Sequence, residues 1–438
     1  MCGTVTHPRD IAAPMPAPGI PRPAATIVVV RDAPGGLEVL LLRRADKGDH
    51  NSGAWVFPGG LLDPADRRCH AFCDGVDDAR ASALLALPDG ALDYYVAAIR
   101  ESFEEAGILF ATAGAGQPLD MLVDSGTPLA ALRAPLHRGE VALAEVCRDF
   151  GLRLAAGQLF YIAHWVTPVG RAKRFDTRFF LAVLPPGQAS SHDALETVDH
   201  VWLRPAQALS AENSRRLMTP TRSVLATIGR FDDAAALLAW ARSPREVVTV
   251  APRLGRDRDG VRPVQQHEPA WEELALVDPQ GRGTAWCELR PDEPAPLTAR
   301  VLRVAAGDGS NSYLLGDASG CTVIDPGSVD DRHLEALIAA APGPVRAILS
   351  TGDQPAAQAL QQRTGAKVMQ PAAGDDLTVA SGLTLRVLPA AGGAAHRAYL
   401  LVEEKILFSG APSDLTVPAH PGVDWIAPGR GFARAARH

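Results

Sequence analysis

Apolar and polar positions alternate in recognisable blocks from residue 25 onward. Ala25 to Arg31 (ATIVVVR) is a β-branched run, DAPGG follows, and LEVLLLRR resumes it, so two strands joined by a glycine-rich turn are predicted. AWVFPGG forms a third extended piece ending at Gly59 and Gly60, and the composition turns irregular from Asp66 to Asp89. Leu92, Val96, Ile99 and Phe103 then recur at spacings of four, three and four, which predicts one buried helix face over 92–106. Gly107 stands where a helix-ending glycine belongs. LFYIAHWVTP and RFDTRFFLAVLP predict strands around a basic turn, and PTRSVLATIGRF and DDAAALLAWAR predict helices. Residues 242–298 are rich in Pro, Gly and charge and are expected to connect two domains. Beyond them, ARVLRVA, NSYLLG, CTVID, DDRHLEALIAAA, AILST, QPAAQALQQR and AKVMQ alternate strand and helix signals, an α/β pattern. The expected division is a Pro-rich disordered tail over 1–22, a first domain over 23–241, the connector over 242–298 and a second domain over 299–438.

Composition narrows the class without changing this layout. A chain of 438 residues with 47% hydrophobic and 21% charged residues has the profile of a globular protein of more than one domain. A net charge of -7 offers no basic field for nucleic acid or an anionic membrane, so neither is expected as a partner. No apolar run approaches the roughly 18 residues of a membrane span. Pro14, Pro16 and Pro18 interrupt the only apolar stretch before residue 23, so no secretory signal is expected, and the final Ala-Arg-His is no peroxisomal address. Six cysteines without a C-x2-C pair point to a reducing, cytoplasmic setting. Cys69, His70 and Cys73 lack a second ligand cluster at zinc spacing, and a surface insertion is expected there.

The chemistry concentrates in AAIRESFEEAGI, residues 97–108. On a helix Glu101, Glu104 and Glu105 share a face, and like charges so placed repel by a few tenths (~0.2–0.5) of a kcal/mol per pair. Arg100 can pair with Glu104 four residues on, and the remaining charge suits a hard divalent cation with oxygen ligands. Three glutamates alone also read as a solvated acidic face.

In its context, between FPGG and Gly107-Ile108, this helix resembles the Nudix box, G-x5-E-x7-R-E-U-x-E-E-x-G-U, where U is aliphatic. Gly60 matches the opening glycine, Asp66 stands at the first Glu, and Arg100, Glu101, Glu104, Glu105, Gly107 and Ile108 follow. Ser102 replaces an aliphatic residue, and 33 residues instead of seven separate Asp66 from Arg100. A long insertion at this point, LLLRR ahead of VFPGGLLDPAD, and WVTPVGRAKRFDTRFFLAVLP downstream are similar to the coenzyme A diphosphatase branch of Nudix hydrolases. The resemblance, over about residues 24–230, implies an α/β/α sandwich that cleaves a diphosphate by attack of water at phosphorus. It implies Mg2+ or Mn2+ held by Glu104 and Glu105, the Gly59–Gly60 backbone near the metal, and Glu101 as a further ligand or as base. A last carboxylate is expected from a loop before a late strand, with Glu196 as the candidate. Arg171, Lys173, Arg174 and Arg178 flank the basic turn, and Arg174 and Arg178 are expected to take phosphates bidentately. His164 and Trp165 are expected in the core; His50 precedes the FPGG strand.

Residues 299–438 resemble the metallo-β-lactamase fold, an αββα arrangement, through SNSYLLGD, CTVIDPG, AILST, GLTLRVLPA, EKILFSG and APGRG. Where active members carry T-H-x-H-x-D-H, this chain has Thr351, Gly352, Asp353, Gln354, Pro355, Ala356 and Ala357. AAGGAA, Ala411 and Arg430 stand at the other ligand positions, and the histidines at 333, 396, 420 and 438 are scattered, so no metal chemistry is expected here. The combined expectation is a Nudix diphosphatase acting on coenzyme A or an acyl ester of it, with self-association through the C-terminal domain. Its rivals are an ADP-ribose or dinucleotide diphosphatase and a non-catalytic ligand-binding or regulatory protein.

Overall fold

The computed structural model of the protein describes residues 19–46, 52–113, 117–119, 128–193, 196–352, 355–379, 382–390, 396–410 and 420–436. Two compact units result, one of Ile20–Thr167 with Lys173–Val250 and one of Ala251–His438 that takes in Pro168–Ala172. The expected tail up to Pro18, His50, Asp353, Gln354, the stretch 391–395 and Ala411 lie outside the described residues.

The N-terminal unit is built on an eight-stranded mixed sheet. Its strands are β1 (Arg22–Ala33), β2 (Gly36–Arg44), β3 (Trp55–Val56), β4 (Gly59–Leu61), β5 (Phe160–Val166), β6 (Phe175–Val183), β7 (Thr197–Leu203) and β8 (Thr249–Val250). The spatial order is β7-β2-β1-β6-β5-β8, with β3 on β2 and β4 on β1. β1 runs parallel to β6 and antiparallel to β2 and β4. ATIVVV lies at the centre, so its β-branched residues are buried on both faces. Ala25, Ile27 and Val29 face the helices α1 (Asp78–Leu85) and α2 (Leu92–Ala106). Val28 and Val30 face Val224, Leu225 and Leu237, on two helices at 219–228 and 234–242. This is the expected α/β/α sandwich. The stretch from Asp66 to Asp89 proved more ordered than its composition suggested, with a 3-10 turn over Asp66–Phe72 followed by α1.

The expected connector is corrected by the structure. β8 at 249–250 completes the first sheet, and residues 251–298 fold with the second unit instead of linking the two loosely. They carry the hairpin Arg253–Asp257 with Gly260–Val264 and the helix Ala270–Val277, packed through Val264, Ala270, Leu274 and Cys287. Glu273 on that helix is buried against Arg303, and its carboxylate also accepts the Ala433 N–H at 2.6 Å. Polarity misled here, because buried charges that pair with one another look like surface charges in a composition window.

Two six-stranded sheets form the body of the C-terminal unit, one between Pro294 and Val368 and one between Asp376 and Ala435. Tyr313, Leu315 and Ile324 of the first interleave with Leu385, Tyr399 and Phe408 of the second. The helices Asp331–Ala340 and Pro355–Thr364 cover the outer face of the first sheet through Leu334, Leu337 and Leu360. His333, fully buried, joins Ser312 Oγ at 3.0 Å and Asp292 at 3.0 Å. Asp325 holds the Thr351 N–H and hydroxyl at 2.7 and 2.8 Å, and Arg430 donates to the Asp308 carbonyl at 2.8 Å.

Candidate active site

Helix α2 carries the site, and its ends explain its position. Gly107 adopts φ 69° and its N–H closes the last turn on the Phe103 carbonyl. A Cβ there would meet Ser191 Oγ at 2.9 Å and Arg133 Nη1 at 3.2 Å, so space and backbone both require glycine. The glutamates do not form a solvated face: Glu101, Glu104 and Glu105 are 9%, 6% and 2% exposed. Strand β4 covers them from one side, pairing Gly60 with Ala25 and Gly59 with Thr26 on β1. The Gly59 N–H donates to Glu105 Oε2 at 2.9 Å, and a Cβ on Gly60 would collide with the Glu101 carboxylate.

Arg100 ties the cluster together. Its Nε and Nη2 donate to the two oxygens of Asp66 at 2.8 and 3.2 Å, and Nη2 also reaches the Leu61 carbonyl at 2.8 Å. Nη1 meets Glu101 Oε1 at 2.7 Å and Glu104 Oε2 only at 3.5 Å, so the expected pair four residues apart is the weaker one. Asp66, across the long insertion, thus meets the box arginine directly. Glu196 sits in the turn before β7, with its N–H on Asp193 Oδ2 at 3.0 Å and its carbonyl accepting the Ala45 N–H at 2.8 Å.

The electrostatics record an excess of negative charge. Burial pushes Glu104 up to about 7, with Arg100 opposing and Glu101 adding to the rise. Burial likewise raises Glu101, against Arg100, and the nearby Glu196 charge raises it further. Glu105 goes well above the ordinary carboxylate range through burial, then through Glu101. Burial also raises Asp66 despite its arginine. Arg100 is raised although burial opposes its charge, because Asp66 and Glu101 outweigh that cost.

The donor set is of the kind a divalent cation takes. The side chains gathered here are oxygen donors, and burial raises Glu101, Glu104 and Glu105, so a hard cation would find carboxylate oxygens to bind. Even so, among the described residues no three His, Cys, Asp or Glu side chains converge as a ready-made metal group. The Arg100 and Gly59 N–H groups already occupy oxygens of Asp66, Glu101 and Glu105.

Other expectations are redistributed. Arg178 is buried, bonded to Asp176 at 2.8 Å and to the Tyr94 hydroxyl at 3.0 Å, with its guanidinium 4.5 Å over the Tyr94 ring. Tyr94 lies two helical turns before Glu101, about 10 Å along the axis. Arg178 Nη1 is thus directed to Asp176 and Tyr94, and Asp176 is shared with His164. Arg174 is half-buried, with Nε on the Thr167 carbonyl at 3.1 Å. His164 belongs to the core, 2.5 Å from Asp176 and 2.8 Å from Thr249 Oγ1. Cys69 is buried among apolar residues, so the C-x3-C is no surface insertion, and His70 between the two cysteines pairs with Asp93 at 2.7 Å. Burial pushes the Cys73 and Cys147 thiols up to about 12.

Three residues at the site carried no signal in the sequence. Arg133 donates to the Glu104 carbonyl at 2.9 Å, His137 lies 3.7 Å from Glu104, and Asp193 binds the turn of Glu196. Their chain spacing to the box corresponds to no period, and only the fold unites them.

Residues 64–224 match the family model described as NUDT19 Nudix domain. The N-terminal unit is Nudix-like over this range. The chain is similar to the acyl-coenzyme A diphosphatase NUDT19 of Gallus gallus, 28% identical over 246 residues, covering 45% of this chain and 64% of that protein. To the human protein of that name it is 27% identical over 237 residues, covering 47% of this chain and 63% of that one. The chain thus spans less than two thirds of the length of these relatives. Among solved structures, a Nudix hydrolase from Alicyclobacillus acidocaldarius aligns with TM-score 0.42 and 29% identity, over 50% of this chain and 96% of that one. A metallo-beta-lactamase from Pontibacter korlensis aligns with TM-score 0.27 and 16% identity, over 33% and 93%. Nudix domains generally use divalent metal ions. No helix among the described residues is long and apolar enough to cross a membrane.

Proposed function

We propose that the Nudix domain hydrolyses coenzyme A or acyl-coenzyme A, with Mg2+ or Mn2+, to 3',5'-ADP and 4'-phosphopantetheine or its acyl form. The observation that carries this reading is the buried set Glu101, Glu104 and Glu105 brought beside Asp66, Arg100 and Glu196. The names of the similar proteins support the substrate. Glu101, Glu104, Glu105 and Glu196, with the Gly60 backbone, would hold the metal. Bound there, it would neutralise phosphate charge and lower the pKa of the attacking water. Arg100 holds Glu101 and Asp66 in place, and Arg174 is the arginine proposed to meet the phosphates.

The C-terminal unit is proposed to be a lactamase-like domain without metal chemistry that serves as a packing or self-association surface. The setting proposed is cytoplasmic, from the cysteine usage. Chromatography of products from a panel of coenzyme A, acyl-coenzyme A, ADP-ribose and dinucleotides, each with Mg2+ and Mn2+, tests the reading. A higher kcat/KM for coenzyme A substrates is expected. A tenfold preference for ADP-ribose, about 1.4 kcal/mol of transition-state discrimination, would transfer the assignment to the rival diphosphatase. No turnover of any member would favour a ligand-binding role. Near-stoichiometric zinc in the metal analysis of a Nudix-site variant would refute the metal-free reading of the C-terminal unit.

A further inference from the structure

We infer that the short helix α3 (Arg133–His137) clamps the glutamate helix to the loop carrying Glu196, with His137 and Asp193 as positioning residues; the inference rests on the diphosphatase reading of this site. Arg133 forms one jaw. Its Nε takes the Glu104 carbonyl at 2.9 Å, one of the carbonyls that the end of α2 leaves without a helical partner. Its Nη1 and Nη2 reach Ser191 Oγ and O at 2.8 Å each, and the Ser191 N–H returns to the Ala106 carbonyl at 2.9 Å.

One turn further along α3, His137 forms the other jaw. Its Nδ1 lies 3.7 Å from Glu104 Oε2 and its Nε2 3.6 Å from Asp193 Oδ2. Both separations are just beyond hydrogen-bond length, and Nδ1 is buried without a hydrogen-bond partner. The imidazole therefore stands between two carboxylates that would otherwise face each other. Asp193 transmits its position to the loop. Its Oδ1 accepts the Thr197 N–H at 2.8 Å and the Thr197 hydroxyl at 2.6 Å, while Oδ2 accepts the Glu196 N–H at 3.0 Å. Thr197 Oγ1 also lies 3.4 Å from the Glu105 carbonyl. A chain of close charge contacts, closed by hydrogen bonds only on the Asp193 side, thus runs from the Glu104 carboxylate through His137 and Asp193 to the backbone of Glu196. Contacts from the Thr197 hydroxyl to the Glu105 carbonyl and from the Ser191 N–H to the Ala106 carbonyl hold the loop against the helix; His137 and Asp193 add the link between the Glu104 carboxylate and Glu196.

The test uses the full chain with coenzyme A and Mn2+. His137→Ala, His137→Gln and Asp193→Asn are compared with wild type, with Glu104→Gln, and with Arg138→Ala, whose side chain is exposed and paired with Glu140. Readouts are kcat and KM, Mn2+ binding by electron paramagnetic resonance without substrate, and melting temperature. His137→Ala and Asp193→Asn are expected to lower kcat about tenfold or more with KM within about threefold, and to weaken Mn2+ binding about tenfold. Melting should move little, His137→Gln should recover part of the loss, and Arg138→Ala should behave as wild type. Wild-type kcat and Mn2+ binding in His137→Ala would overturn the inference, as would a loss matched by a collapse in melting and not eased by Gln. If wild type turns over no substrate, the diphosphatase reading fails, and the Mn2+ arm alone decides whether His137 and Asp193 set the site.

Discussion

Asp66 and Arg100 stand 34 positions apart in the chain and meet through two hydrogen bonds, at 2.8 and 3.2 Å, with both side chains largely buried. The intervening segment leaves through a 3-10 turn and α1 and returns along α2, so the two ends of the insertion meet. Chain lengthening of this kind costs only about 0.6 kcal/mol per doubling of the loop. Asp in place of Glu still reaches the guanidinium.

Removing that carboxylate leaves Arg100 with less negative charge in a buried setting. Asp66→Ala is expected to destabilise the Nudix domain by about 3–5 kcal/mol, the range for breaking a buried ion pair from one side. Urea unfolding followed by a probe within residues 20–167 measures it. A change below about 1 kcal/mol would mean that Glu101 and Glu104 alone satisfy Arg100.

Glu104→Gln keeps the shape of the side chain and removes its charge. A decrease in kcat of at least about a hundredfold is expected, since an amide cannot replace a carboxylate toward a hard cation. Wild type in EDTA should lose activity as well. Full activity in either case would remove Glu104 from the metal set.

Without metal, the same charge is a burden on the fold. Burial raises Glu104 from 4.5 to about 7, so between those values the folded state holds more protons than the unfolded one. Stability contributed by this group therefore falls as pH rises through that window. In EDTA, Glu104→Gln should melt higher than wild type at about pH 8, with the difference shrinking toward about pH 5. Differential scanning calorimetry at both values checks the sign, and a difference independent of pH would contradict it.

Gly60→Ala places a methyl group against the Glu101 carboxylate. Overpacking of this kind costs about 1–3 kcal/mol, and here the displaced group belongs to the site. Mn2+ affinity and kcat are both expected to fall. Unchanged Mn2+ binding would show that Glu101 can move aside.

In the C-terminal unit, Glu273→Ala leaves Arg303 buried and takes away the acceptor of the Ala433 N–H. A loss of about 3–5 kcal/mol is expected. Because two units need not unfold together, hydrogen exchange over residues 270–277 and 301–305 is the suitable measurement. Protection equal to wild type would show the pair to be dispensable.

Periodicity and end signals by themselves determined the glutamate helix, from Leu92 to Ala106 with Gly107 beyond it, and the strands ATIVVVR and LEVLLLRR. These are local properties: a 3.6-residue repeat, a left-handed glycine and a β-branched run act within a few residues of one another. The resemblance likewise placed Asp66, Arg100 and the three glutamates in one motif; in the structure Asp66, Glu101 and, more weakly, Glu104 meet the Arg100 guanidinium, while Glu105 accepts the Gly59 N–H. Tertiary structure alone decided that the acidic face is buried, that Arg178 pairs with Asp176, and that residues 251–298 belong to a folded unit. It alone brought Arg133 and His137, with Asp193 behind His137, to the C-terminal end of the glutamate helix. The reason is physical. Whether a charged side chain meets water or a partner depends on what distant chain segments place beside it, and no spacing within the chain encodes that neighbour.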